Sequence, residues 1–170
     1  MQTTITHLEK HLYADTNKTF LVHMGIRRKQ EILTGEIATR ASGLIKAYLT
    51  KHAIPTHAWI VLTNRISLVI QPTAAKNIFT IAEELQKLIK QKALPKEVDF
   101  YGDFLDHLLR KSEDPRFVST ELLAQCVSLG LAPNPKEYPF CGSFLHDMNQ
   151  LATPESLMIE SNYATSQQAK

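Results

Sequence analysis

The stretch between Thr56 and Gln71 places the strongest constraint on the fold, because two apolar, β-branched runs are interrupted by only two polar residues. The runs cover residues 56–62 and 65–71, and Thr63 and Asn64 separate them. Apolar runs of this length, bounded by polar residues, are typical of β-strands. A connection of two residues predicts an antiparallel hairpin, although the turn lacks the glycine that such hairpins favour.

Amphipathic segments lie on both sides of this hairpin. In residues 35–52 and 77–91, apolar side chains recur at the spacing of one helical face. Thr34 stands where a side chain caps a first helical turn, and Pro55 and Pro95 follow the two segments. Both segments are therefore predicted to be α-helices.

The remaining segments complete a recognisable order of elements. Residues 19–24 have the composition of a short strand, and residues 115–129 that of a third helix, with Pro115 in its first turn and Gly130 after its end. Residues 98–109 fit a strand and a helix about equally well. With a strand there, the order β-α-β-β-α-β plus a helix predicts an α+β, ferredoxin-like (RRM-like) antiparallel sheet. Two helices then cover one face, the other face is open, and a further C-terminal helix is added.

Composition is that of a compact globular domain. The 170 residues are 44% hydrophobic and 21% charged, and the net charge is only +2. A nucleic-acid site would therefore need clustering of basic residues rather than an excess of them. No apolar run reaches the ~20 residues that cross a bilayer, and residues 1–12 lack the pattern of a secretory signal. With only Cys126 and Cys141 in the chain, neither a disulfide framework nor a zinc knuckle is expected, which favours a cytoplasmic protein with reduced thiols.

Polarity divides the chain into three parts. Residues 1–17 are interpreted as an N-terminal extension, residues 18–145 as the domain, and residues 146–170 as a tail that is partly disordered. No Gly-rich phosphate loop and no helical His-Glu-x-x-His pattern is present, so neither a cofactor nor a metal is expected.

Residues 20–34, 59–70, 106–110 and 127–140 carry motifs that, in this order, resemble those of the REP-associated and related single-tyrosine (HUH) transposases. Residues 20–34 are similar to the first strand and basic turn of that family, and residues 59–70 to the strand that leads into its His-hydrophobic-His metal motif. Residues 106–110, Asp-His-Leu-Leu-Arg, are similar to the segment before the helix that carries the nucleophilic tyrosine. Residues 127–140 are similar to the family's ending. The resemblance spans about residues 19–144 and favours a strand near residues 105–110.

The positions that carry chemistry in the resembled family hold other residues here. The two metal-ligand histidines correspond to Arg65 and Ser67, the tyrosine to Glu121, and a third metal ligand one helical turn later to Gln125. We refer to these four residues as the vestigial positions. A single remaining ligand does not hold a divalent ion, and glutamate does not form the phosphotyrosine intermediate. The resemblance thus implies a transposase-derived protein without the transposase's catalysis.

Basic residues in the matching segments are the candidates for nucleic-acid binding. Arg65 stands out, because a guanidinium in place of a ligand imidazole can bind a phosphate without an ion. Two alternatives remain: Arg65 pairs with Glu121, and the other basic residues lie on ordinary solvated surfaces. The full set of candidates is Arg27, Arg28, Lys29, Arg65, Lys87, Lys90, Lys92, Arg110 and Lys111.

The function expected from these observations is binding of structured or single-stranded nucleic acid, either hairpin DNA or RNA, in a regulatory role. The alternative is a protein-interaction or dimerisation module without nucleic-acid binding. A homodimer is compatible with the resemblance, and no membrane partner is expected.

Overall fold

A computed structural model of the protein describes residues 9–27 and 31–151. Residues 1–8, Arg28, Lys29, Gln30 and residues 152–170 lie outside the described part, and with them most of the predicted tail. The described residues confirm the predicted order of elements. In chain order these are β1 (Phe20–Gly25), α1 (Gly35–Lys51), β2 (Thr56–Val61), β3 (Arg65–Ile70), α2 (Ile78–Lys92), β4 (Leu105–Leu108), α3 (Pro115–Ser128), β5 (Cys141–Gly142) and α4 (Met148–Leu151), with 3-10 turns at Lys10–Ala14 and Pro135–Glu137.

The strands form one antiparallel sheet in the order β4-β1-β3-β2-β5. The first four positions are the arrangement that a β-α-β-β-α-β chain produces when each helix crosses over one intervening strand. β5 extends the sheet beyond β2. The α+β, ferredoxin-like prediction is confirmed, and the predicted hairpin closes with a 2.8 Å hydrogen bond from Leu62 N to Arg65 O.

One face of the sheet, the first face, packs against α1 and α2. Alternate side chains of β1, namely Phe20, Val22 and Met24, point to this face and are fully buried. The apolar sides of both helices complete a single large core with them. Burial on this scale is the main stabilising contribution to the domain.

The opposite face, the second face, is only half open. α3 packs over β2 and β3, where Leu122, Leu123 and Cys126 contact Ile60 and Val69 in a second core. The prediction that this whole face is open was therefore wrong for its β2–β3 half. The physical reason is visible in the strands, because β2 and β3 are buried on both sides and lack the polar alternation of a half-exposed strand.

The helices α2 and α3 have side-chain N-caps that the sequence analysis did not name, whereas the cap predicted for α1 is not made. Asn77 caps α2 by accepting a hydrogen bond from Thr80 N at 2.8 Å, and Asp114 caps α3 ahead of Pro115. Thr34 occupies the N-cap position of α1, but its side chain makes no capping bond. Gly130 follows α3 with a φ of 69°, a left-handed conformation that glycine adopts without strain.

Residues outside the 18–145 segment also enter the cores. Tyr13 stacks on Phe20, with ring centroids 5.6 Å apart, and its hydroxyl donates to the Asp106 carboxylate. Leu151 is buried in the second core. None of the described helices is long and apolar enough to cross a membrane.

Candidate nucleic-acid interface

The uncovered half of the second face is formed by β1 and β4. Leu21 and His23 point to this side between the first-face residues of β1, and they pair in register with His107 and Leu105 of β4. Leu105 is 56% exposed. We call these four residues together with Gly25 the open half-face.

Tyr101 adds an aromatic ring at one end of the open half-face. Its backbone N donates to Gly25 O at 2.8 Å, and a Cβ placed on Gly25 would lie 3.4 Å from Tyr101 Cδ2. The ring thus rests on bare backbone, and the side chain is 54% exposed. An aromatic ring that is more than half exposed can stack with another π-system.

Arg65 lies beside this ring, opposite Gly25 in the β1–β3 register. Its Nη2 donates to Oε1 of Gln125 on α3 at 2.7 Å, whereas its Nε is buried without a partner. A guanidinium has five N–H donors; the amide oxygen takes one and the Nε donor is buried, so the unused donors that a ligand could meet are those of the two Nη atoms. The half-buried cation therefore sits at the boundary between the open half-face and α3 with unused donors.

Ser67 is the next residue of β3 that points to the second face. It is fully buried and forms a hydrogen bond with His23. The Ser67 Oγ and His23 Nδ1 are 2.6 Å apart. Burial, and secondarily the nearby Arg65 guanidinium, lower the pKa of His23 below its usual value. The imidazole is therefore neutral at pH 7. The sequence prediction missed His23, because its approach to Ser67 depends on a strand register that the sequence does not reveal.

The vestigial positions are brought together, but not in the pairing considered from the sequence. The Glu121 side chain lies one turn before Gln125 and reaches solvent, and its partial burial raises its pKa. Among the described residues Arg65 contacts Gln125, and no Arg65–Glu121 ion pair is present. The amide of Gln125 is the partner that the carboxylate was considered for, and Arg65 has no ion pair within the described part of the chain.

Two grooves containing basic side chains lie near the two ends of β1, the first of them on the side of α2 and therefore of the first face. One, of about 480 Å³, follows the end of β1 and is lined by Arg27, Lys87 and Lys90 beside the acidic Glu83 and Asp99. Lys90 is already engaged, because its Nζ donates to the carbonyls of Lys96 and Val98. Arg27 and Lys87 remain exposed to an incoming phosphate.

The second groove, of about 360 Å³, lies at the opposite end of β1. Arg110 and Lys111 line it together with Lys18, which the sequence prediction did not include. Lys92 lines neither groove, while Arg28 and Lys29 lie outside the described residues. The six residues of β1 span roughly 20 Å between the two grooves, at ~3.3 Å per residue.

The fold and this surface together define a ferredoxin-like domain in which one additional helix covers half of the second face. The solved structure of a REP-associated tyrosine transposase bound to a REP hairpin has the same fold, with a TM-score of 0.59. The two chains are 17% identical, and the match covers 80% of this chain and 81% of the transposase chain. No protein-family model and no curated protein sequence matches the chain.

Proposed function

We propose that the protein binds a nucleic-acid hairpin or its single-stranded flank, as DNA or RNA, without the strand-transfer chemistry of the transposases it resembles, and that it acts as a regulator. The observation that carries this proposal is the partly buried Arg65, whose unused donors lie beside an open sheet surface with an exposed aromatic ring. The hairpin in the structurally similar transposase supports the same class of ligand.

The chemistry of the surface fits an unpaired strand better than a plain duplex. Unpaired bases offer faces that stack on exposed aromatic rings, and here Tyr101 offers such a ring. A phosphate next to a stacked base would meet Arg65, and phosphates further along the strand would meet basic side chains near the ends of β1. A closed helix would present only its backbone to the same cations.

The absence of transposition chemistry rests on the residues at the vestigial positions. Glu121 supplies no phenol, and Arg65 and Ser67 supply no pair of imidazole ligands. Retained binding with lost strand transfer is the function that such a site supports.

The decisive experiment compares three ligands of one sequence: a hairpin with a single-stranded flank, the hairpin alone, and a blunt duplex, each as DNA and as RNA. Affinity is measured by fluorescence anisotropy at 50 and 200 mM salt, with magnesium and with EDTA. Three phosphate contacts predict a loss of affinity on the order of 20- to 40-fold across this salt range. We expect the flanked hairpin to bind best, with no dependence on magnesium and no cleavage.

One observation favours a second function, a protein-interaction module. Tyr101 and Leu105 are both more than half exposed, and they are large apolar side chains on an edge of the sheet. A complex formed mainly by such contacts keeps its affinity as salt rises. Failure of every nucleic acid to bind at 50 mM salt would contradict the first proposal and favour this one.

A further inference from the structure

Two histidines that are far apart in the chain meet at the other edge of the sheet. His57 Nδ1 and His146 Nε2 are 2.9 Å apart, and the ring centroids are 5.1 Å apart. His57 belongs to β2, and His146 to the segment between β5 and α4. This pair is separate from the open half-face, since β2 and β4 are separated by β1 and β3 in the sheet.

The local backbone is shaped to bring the two rings together. The β2–β3 register shifts between Thr56 and Ala58, so His57 sits at a bulge, a feature that redirects a side chain. The backbone N atoms of Phe144 and Leu145 both donate to Thr56 O, at 3.1 and 3.2 Å, and fold the later segment onto the start of β2. His146 N then donates to Ser143 Oγ at 3.0 Å.

Both imidazoles are neutral at pH 7, the state in which imidazole binds metals. Burial lowers the pKa of each ring; the neighbouring His146 further lowers that of His57, and Arg116 further lowers that of His146. The Asp114 carboxylate acts on both rings in the opposite direction. His57 Nε2 is buried and has no hydrogen-bond partner. The hydrogen bond between the two rings therefore leaves one ring nitrogen of the pair without a polar contact.

We propose that His57 and His146 form a binding site for a divalent transition-metal ion of the type that imidazole ligates, namely Ni²⁺, Cu²⁺ or Zn²⁺. Two nitrogens at about 2.0–2.1 Å from one ion lie about 2.9 Å apart at adjacent corners of a square or octahedron, and about 3.4 Å apart in a tetrahedron. The observed separation equals the first value. Ligation moves the shared hydrogen of the pair to an outer ring nitrogen, and the two rings turn so that both facing nitrogens direct their lone pairs at the ion.

The surrounding charges determine how strong the site is. Asp114 offers a negative charge, whereas Arg116 on the same helix opposes a cation. The described residues contain no group of three His, Cys, Asp or Glu side chains that could hold an ion, so water fills the remaining positions. A bound ion would fasten the segment after β5 to the start of β2, and the protein would become more stable as metal is added.

The test is isothermal titration calorimetry of the full chain with NiCl₂, CuCl₂ and ZnCl₂, with MgCl₂ as the hard-cation control. We expect one transition-metal ion per chain, no heat with magnesium, and a rise in the midpoint of thermal unfolding. His57→Gln and His146→Gln should each weaken binding at least about tenfold, since even the loss of a group that only orients a ligand costs that much.

His11→Gln is the matched control, because His11 is an exposed histidine remote from the pair in sequence and its loss should leave the affinity unchanged. Circular dichroism of each variant checks that it has folded. Absence of transition-metal binding in the native protein overturns the proposal. So does binding that persists with unchanged affinity in both the His57 and His146 variants.

Discussion

Arg65 on β3 donates a 2.7 Å hydrogen bond to Gln125 on α3, and this bond links the sheet to the helix that covers half of its second face. The resemblance read from the sequence implies a metal ion between the corresponding positions of the transposases. Here a guanidinium and an amide make the connection directly. The link between strand and helix therefore needs no ion, and it carries the permanent positive charge of a guanidinium.

Replacing Arg65 by Met keeps an unbranched apolar stem and removes the charge. We expect a ten- to hundredfold loss of affinity for the flanked hairpin, because a hydrogen bond to a charged group contributes about 1.5–3 kcal/mol. The slope of log affinity against log salt should also fall by about one, as for the loss of one phosphate contact. Both quantities come from anisotropy titrations at four salt concentrations.

Arg40→Met provides the control for this change. Arg40 lies on α1, which covers the other face of the sheet, and it makes only an exposed contact with Glu36 at 3.8 Å. Its removal lowers the net charge by the same amount. An equal loss of affinity in the two variants would mean that Arg65 acts only through overall charge.

Gln125→Ala separates the structural role of Arg65 from its binding role. Loss of the amide should lower the free energy of unfolding by about 1.5–3 kcal/mol, because one hydrogen bond to a charged group is lost. Affinity for nucleic acid should stay the same or rise, since Arg65 gains a free donor. Urea unfolding and anisotropy on the same preparation give the two values, and weaker binding would show that Gln125 positions Arg65 for the ligand.

Tyr101→Ala should weaken binding of the flanked hairpin by about 1–3 kcal/mol, the usual contribution of one stacked base. Tyr101→Phe is the matched control, because it keeps the ring and removes only the hydroxyl. The hairpin without a flank should respond little to either change. Equal loss in the alanine and phenylalanine variants would point to a hydrogen bond of the hydroxyl instead of stacking.

Stability should fall as the pH decreases below 6.5, because three histidines have lowered pKa values in the folded state. His23, His57 and His146 are all affected, chiefly through burial. Below 6.5 the unfolded chain binds more protons than the native protein, so protonation favours unfolding. Urea unfolding in EDTA at pH 7.5 and 5.5 measures the difference.

The His23→Gln variant tests the share of one residue in this pH dependence. Glutamine can still hydrogen-bond Ser67 but does not titrate, so the drop in stability between the two pH values should become smaller. His11→Gln replaces an exposed histidine and should leave the drop unchanged. A variant of His23 with the full native pH dependence would contradict the prediction.

The fold was largely predictable because its strongest signals are local. The two-residue break at Thr63 and Asn64 defined the hairpin, and helical periodicity gave α1 and α2 to within one residue. The half-covered second face was also encoded, since β2 and β3 lack alternating polar residues. The apolar character of both faces of β2 and β3 indicates that something covers the second face, but it does not identify α3 as the covering element.

The contacts of the candidate site were less predictable because they depend on long-range geometry. Arg65 reaches Gln125 and not Glu121, although these two residues are one helical turn apart on the same helix. The approach of His23 to Ser67 and that of His57 to His146 join residues 44 and 89 positions apart. The β1–β3 register determines the first contact, and the bulge in β2 contributes to the second. Neither feature leaves a recognisable motif in the sequence.

The short strand β5 offers a direct test of packing at the edge of the sheet beside β2. A Cβ on Gly142 would lie 3.0 Å from Nε1 and 3.1 Å from Cε2 of Trp59, whose indole is almost fully buried. The ring cannot move without disturbing the first core, so Gly142→Ala should destabilise the protein by roughly 1–3 kcal/mol.

Gly43→Ala is the opposite control, because Gly43 is exposed inside α1 with nothing within 4 Å of an added Cβ. There alanine should stabilise by roughly 0.5–1 kcal/mol through its helix propensity. Urea unfolding of both variants gives the two free energies, and a Gly142 variant as stable as the native protein would show that β5 does not pack on Trp59 in solution.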